Sequence, residues 1–178
     1  MTENATTVNT GKDYSPSWQR RFEMLDYLEA DKLSYDAMRK TDKYKALSFG
    51  EKFRVSRNFL ALFFGSIYYF CKGMWAKGLF IIAISSIYSM LLMTIEAAAG
   101  RLFIPSIAYW LPPAIFTFLL ANYDYYRKEK LGEKIWSVIP AVFGEIKVIL
   151  PVAVIAFAAN IYFAYQITMM LPDPYLGY

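Results

Sequence analysis

From Gly78 to Ile95 the chain runs eighteen residues without a charge (Gly-Leu-Phe-Ile-Ile-Ala-Ile-Ser-Ser-Ile-Tyr-Ser-Met-Leu-Leu-Met-Thr-Ile) before it meets Glu96. At roughly 1.5 Å per residue, a helix of that length comes close to the roughly 30 Å of hydrocarbon in a bilayer. Two further stretches, Ile104 to Asn122 and Val148 to Leu171, are also free of charge. Inside hydrocarbon every backbone N–H and C=O must be bonded within its own segment, so such stretches can only be helices. The expectation is an all-α membrane protein with three transmembrane helices, over about residues 78–99, 104–122 and 148–171.

Composition excludes more than it selects. Apolar residues make up 57 % of the 178, yet 19 % are charged, so the charge has to be segregated. Eleven of the nineteen Lys and Arg fall before Asn58, beside nine acids, a mixture that forms no basic stripe for nucleic acid. There is no His and a single Cys, Cys71, which excludes an internal disulfide, His-based acid/base catalysis, His- or Cys-cluster metal sites and Ser-His or Cys-His nucleophiles. Cys71 reads as a small apolar filler near the interface. No phosphate-cradling Gly-rich motif is present. The expectation is a protein with no cofactor, no metal and no enzymatic activity. The first 57 residues hold no apolar core of signal-peptide length, so no cleaved leader is expected.

Charge also orients the spans. With the N-terminus inside, the cytoplasmic face collects eighteen Lys and Arg, and the outer face only Arg101. That is the arrangement the positive-inside rule favours, and it leaves the C-terminus outside, in a bacterial inner membrane. Residues Asn58 to Phe70 complicate the count. They are apolar but only thirteen long, roughly 20 Å as a helix, which is too short to cross. A fourth span here would invert every later segment and put the basic connection after Tyr126 on the wrong side. The reading is therefore one re-entrant or interfacial helix within residues 58–77, returning to the cytoplasmic face with Lys72, Trp75 and Lys77 at the headgroups.

Residues 1–13 are polar and expected to be disordered; 14–57 form a cytoplasmic helical region; 78–171 hold the three spans; and 172–178 make an outer tail. Ser15-Pro16 starts a helix on which Trp18, Phe22, Leu25 and Leu28 form one apolar stripe. A second helix carries Leu33, Tyr35, Met38 and Tyr44. Ser48 and Glu51 have the spacing of a capping box and open a third, which feeds into the short apolar segment. So small a region seldom buries enough to fold alone, so its stripe should pack on the membrane part or on another chain.

Lys52, Arg54 and Arg57 precede the short segment and, with Lys72, Trp75 and Lys77, form the candidate contact with lipid, anionic lipid in particular, or with a membrane partner. Polar groups at membrane depth are the other candidates. Glu96 lies five residues before Arg101, within reach of it. Asp124 stands among Tyr123, Tyr125 and Tyr126 as part of an inner aromatic belt. Asn160 and Gln166 would make interhelical hydrogen bonds. Pro112-Pro113 removes two donors and forces a break or kink. Glu96, Asn160 and Gln166 facing a shared path would make a transport subunit.

The runs Asn58-Phe59-Leu60-Ala61-Leu62-Phe63-Phe64-Gly65, Tyr68-Tyr69 and Lys72-Gly73-Met74-Trp75-Ala76-Lys77-Gly78-Leu79, with Ala121-Asn122 and Tyr125-Tyr126 later, form a pattern across about residues 44–130. It resembles a bacterial inner-membrane family known as domain of unknown function 2628. The resemblance implies a small inner-membrane protein and carries no activity or catalytic residue. The expected role is accessory or scaffolding, contacting membrane lipids or a membrane-protein partner, with a homo-oligomeric transporter or channel subunit as the alternative.

Overall fold

The computed structural model describes residues 13–171, so the expected outer tail and all of the N-terminal tail except Asp13 lie outside the described residues. Every described element is helical. In order they are α1 (Pro16–Tyr27), α2 (Tyr35–Lys40), α3 (Asp42–Ala46), α4 (Phe49–Ser56), α5 (Phe59–Phe64), α6 (Ser66–Cys71), α7 (Trp75–Ala99), α8 (Ser106–Leu131), a 3-10 turn (Ala141–Gly144) and α9 (Ile146–Met170).

The three long helices lie side by side. Ile149 and Ala153 of α9 pack among Ala76, Leu79 and Ala83 of α7. Further along, the Asn160 amide donates to the Ser86 carbonyl at 3.1 Å, so α9 runs parallel to α7. α8 runs the other way. Its far end meets the start of α7 through Lys77 and Asp124, and Tyr109 near its start donates to Glu96 near the end of α7. α7 and α9 are each 25 residues long and apolar enough to cross a bilayer, and over their most apolar stretches only 33 % and 17 % is buried. A core helix of a water-soluble protein would be mostly covered; these present Ile84, Ile87, Leu91, Val154, Ile155 and Phe157 to the outside.

By length and composition two helices, rather than the expected three, qualify as spans. In α8 the apolar residues are diluted by Ser106, Tyr109, Trp110, Pro112 and Pro113, and its last turns are polar and charged. The prolines do not break it. α8 continues through both, and the Ala108 carbonyl, which Pro112 leaves without its usual donor four residues on, accepts the Tyr88 hydroxyl at 2.9 Å.

The N-terminal helices do not make a core of their own. Phe22, Leu25, Leu28, Met38, Tyr44 and Val55 close around Tyr123 and Tyr126 of α8. Polar contacts fix the arrangement: Tyr123 donates to the Leu33 carbonyl at 2.6 Å, Tyr126 to Asp26, and Arg127 to the Ala30 and Asp31 carbonyls at 3.1 and 3.2 Å. α1 starts at Pro16, and Ser48 and Glu51 form the full capping box of α4. The single second helix is instead two, because Thr41 is extended and its hydroxyl accepts from the Tyr44 N–H, capping α3 where α2 would have continued.

The short apolar segment is also two helices rather than one. Gly65 separates α5 from α6 at φ 47°, ψ −123°, a backbone conformation that a residue with a Cβ rarely adopts. The chain then doubles back, and Asn58 before α5 donates to the Tyr68 hydroxyl in α6 at 2.8 Å.

Two substitutions probe this layout. Phe22→Ala should cost about 3–5 kcal/mol and release residues 13–56 to limited proteolysis in mild detergent while the long helices stay protected. Nothing lies within 4 Å of a Cβ built at Gly65, so Gly65→Ala should lower thermal stability through backbone strain alone, by about 1–3 kcal/mol; an unchanged melting temperature would show that the turn adapts.

Candidate functional site

Lys77 occupies the first turn of α7, directly before its apolar run, and Asp124 lies where the polar end of α8 begins. The antiparallel packing brings them together. Lys77 Nζ is 2.8 Å from Asp124 Oδ1 and 2.6 Å from Glu133 Oε1, and the side chains of Lys77 and Asp124 are both 0 % exposed. Asp124 also accepts the Tyr69 hydroxyl at 2.8 Å and the Trp136 indole N–H at 2.7 Å. Glu133 closes the set by accepting from Arg127 Nε. Two carboxylates thus face two cations, and every donor around Asp124 points at it. Such a set is costly to desolvate and persists only where each lone pair and proton is matched.

Burial pushes the Asp124 carboxyl up from the ordinary aspartate range, while the Lys77 ammonium and the donors from Tyr69 and Trp136 pull the other way. Burial and the adjacent Asp124 hold the Tyr69 phenol well above its usual value, which keeps it a donor.

A second polar layer fastens the α5–α6 hairpin to α8. Asn58 donates to Asn122 Oδ1 at 2.8 Å while its own oxygen accepts from the Ala61 N–H, and Asn122 reaches back to the Arg57 carbonyl at 2.9 Å. The Asn58 N–H bonds to the Phe118 carbonyl at 3.0 Å, and Thr117 donates to the Ala61 carbonyl at 2.8 Å.

Of the expected contact residues, Lys77 is corrected. Its ammonium is enclosed by Asp124, Glu133 and the Trp136 ring and cannot meet a headgroup, because a buried cation is held by its counter-charges. Lys72 lies with its ammonium 4.8 Å from both the Trp18 and the Tyr125 ring centres, a cation–π seat rather than a free headgroup contact. Trp75 is exposed and stacked on Phe70 at 5.0 Å. Lys52 bonds the Lys45 carbonyl, Arg54 is exposed, and Arg57 lies over the Phe118 ring. Cys71 is exposed rather than a packed filler.

The residues expected along a transport path are not brought together. Glu96 accepts from the Phe103 and Ile104 N–H groups at 2.8 and 2.7 Å and from Tyr109, and so holds the α7–α8 connection; Arg101 stacks over Phe103 instead of pairing with it. Asn160 makes the interhelical bond expected of it, but Gln166 bonds only Tyr162 of its own helix. Asp124 belongs to the buried ionic set rather than to an aromatic belt. Two further members of that set, Trp136, which donates to Asp124, and Glu133, which accepts from Lys77, lie in the connection after α8. The only sequence signals for them were a lone acid in an aromatic helix end and a Lys set against an apolar run. Among the described residues no group of three or more His, Cys, Asp or Glu could hold a metal.

A family described as a protein of unknown function, DUF2628, matches residues 11–130. The chain belongs to this family. The matched stretch begins well before residue 44, where the visible motifs start, and takes in α1 to α3, which is understandable since those helices pack onto Tyr123 and Tyr126. Lys77 and Asp124 fall inside it; Glu133, Trp136 and α9 fall beyond it. No curated protein and no solved structure matches the chain.

The ionic set yields a stability prediction. Lys77→Met should destabilise the detergent-solubilised protein by about 3–5 kcal/mol, because it strands the buried Asp124 carboxylate and removes one of the two cations on Glu133. Adding Asp124→Leu should recover part of that loss, and strictly additive melting shifts would mean the two residues do not interact.

Proposed function

We propose that this chain is a three-span inner-membrane protein of accessory or scaffolding type, without enzymatic activity, whose N-terminal helices and ionic set face the cytoplasm. The observation that carries the reading is a pair of polar layers with bare apolar sides between them. One layer is built on Lys77 and Asp124, the other on Glu96 and Tyr109. Nineteen residues separate Lys77 from Glu96 along α7, roughly 28 Å of helix and close to the thickness of bilayer hydrocarbon. α8 covers most of the same depth between Tyr109 and Asp124, which supports its reading as the third span although its composition is diluted.

The α5–α6 hairpin supports the re-entrant reading. Each helix is six residues, roughly 9 Å, and the hairpin leaves and rejoins the protein at the level of Asn122 and Asp124. Its turn exposes Phe63, Phe64 and Ile67, apolar side chains suited to half-insertion. Phe49, Phe53 and Phe59 continue this surface beside Arg54, an amphipathic face fitted to an anionic leaflet, where each nearby base adds roughly 1 kcal/mol. The bases cluster at the Lys77 end, and Arg101 stands alone at the other. The acids at depth are spent on structure: Asp124 and Glu133 hold Lys77, and Glu96 holds a connection.

Topology is tested with thiol labelling of intact cells. Native Cys71 should resist an impermeant maleimide, and Leu102→Cys in a Cys71→Ser background should react; the opposite pattern overturns the orientation. The role is tested by purifying the intact protein in mild detergent. A stoichiometric foreign protein or a retained lipid class supports the accessory reading, whereas a homo-oligomer that conducts ions in liposomes overturns it in favour of a channel.

A further inference from the structure

α7 packs closely along α9 but diverges from α8, and the gap is a cavity of about 700 Å³, within the usual size of small-molecule sites. Its walls are Phe80, Ile84, Pro112, Pro113, Phe116 and Leu120. Ile84 and Phe116, partly exposed, form lips that open sideways. Toward the middle of α7 the gap ends where the Tyr88 hydroxyl bridges to the Ala108 carbonyl. At the other end its lining turns polar: Arg127, Glu133 and Trp136 of the ionic set, with Lys32 and Asp36 from the N-terminal helices at the rim.

We infer that this groove seats one acyl chain of a zwitterionic phospholipid of the inner leaflet, with its headgroup at the Lys32–Asp36 and Arg127–Glu133 rim. The inference rests on the membrane placement and orientation given above, and deepens it by naming the lipid class and its seat. Length is the first argument. From Tyr123 to Pro112 the groove follows eleven residues of α8, roughly 16 Å, which is the depth of one leaflet of a roughly 30 Å hydrocarbon core. The last lining residues, Pro112 on α8 and Tyr88 on α7, lie twelve residues from Asp124 and eleven from Lys77, roughly 16–18 Å in and near mid-bilayer, where an acyl chain ends. Charge is the second. The rim carries Lys32 and Arg127 as cations, paired with Glu29 and Glu133, and Asp36 as an acid, paired with Lys40. That balance of charge matches a phosphate joined to an ammonium better than a purely anionic head. The polar end is also preorganised, because Arg127 is fixed by Glu133 and by the Ala30 and Asp31 carbonyls.

The test uses the intact protein reconstituted in phosphatidylethanolamine and phosphatidylglycerol vesicles doped with trace phosphatidylethanolamine bearing a diazirine on its acyl chain. After irradiation, labelled peptides should concentrate on residues 80–88 and 112–120, about tenfold above the exposed face of α9 around Ile155. Ser85→Trp, which fills the groove, should abolish that excess and leave α9 labelling unchanged. The same diazirine on phosphatidylglycerol should label the groove several-fold less. Even labelling of α7, α8 and α9 overturns the inference, as does equal labelling by the two headgroups. The map on the unsubstituted protein decides the first point even if Ser85→Trp does not fold. An inverted thiol pattern with groove labelling intact would refute the orientation alone; correct topology with even labelling would refute the seat alone.

Discussion

The fold turns on a buried charge pair. Lys77 and Asp124 lie where α6, α7, α8 and the connection to α9 converge, and each is fully removed from water. A cation set two residues into a long apolar helix has two ways to lower its energy: to reach the interface by snorkelling, or to find a counter-charge inside. Here the second prevails, because α8 returns with a carboxylate at the matching height and Glu133 follows within reach. The pair fixes the register of α7 against α8. Through Tyr69 it also fixes the hairpin, and through Glu133 and Arg127 the turn between α1 and α2.

From that register the remaining contacts follow in layers. Asn58, Asn122 and Thr117 bind the α5–α6 hairpin within the two turns of α8 that precede Asp124, and the tyrosines of the α8 end gather α1 to α4 beside it. The N-terminal helices thus have their core supplied by one of the long helices, α8, rather than by their own residues alone. At the opposite end Glu96 with its donors and the Tyr88–Ala108 hydrogen bond tie α7 to α8, and between these contacts and the Lys77–Asp124 layer the same helices stand far enough apart to leave a groove.

Much of this was legible in the chain. Three uncharged stretches announced the long helices, and Ser15-Pro16 and Ser48-Glu51 marked helix starts that the structure keeps, because caps are decided by a few adjacent residues. The Trp18, Phe22, Leu25, Leu28 stripe named a buried face but not what would bury it. Errors arose where a local signal was answered from far away in sequence. Lys77 read as an interfacial anchor because its counter-charges are 47 and 56 residues downstream. Pro112-Pro113 read as a break or kink because the hydroxyl that donates to the freed Ala108 carbonyl belongs to Tyr88 on another helix.

By itself the sequence determined that the chain is helical, that its long helices are apolar on the outside and that its bases gather at one end, since periodicity, length and charge are local or additive properties. Only the tertiary structure decided which charges are buried, where Gly65 folds the short segment back, and that a groove remains between α7 and α8. Those outcomes depend on distances between segments that no single stretch of residues encodes: a charge is priced by the dielectric and the partners around it, and both are set by packing.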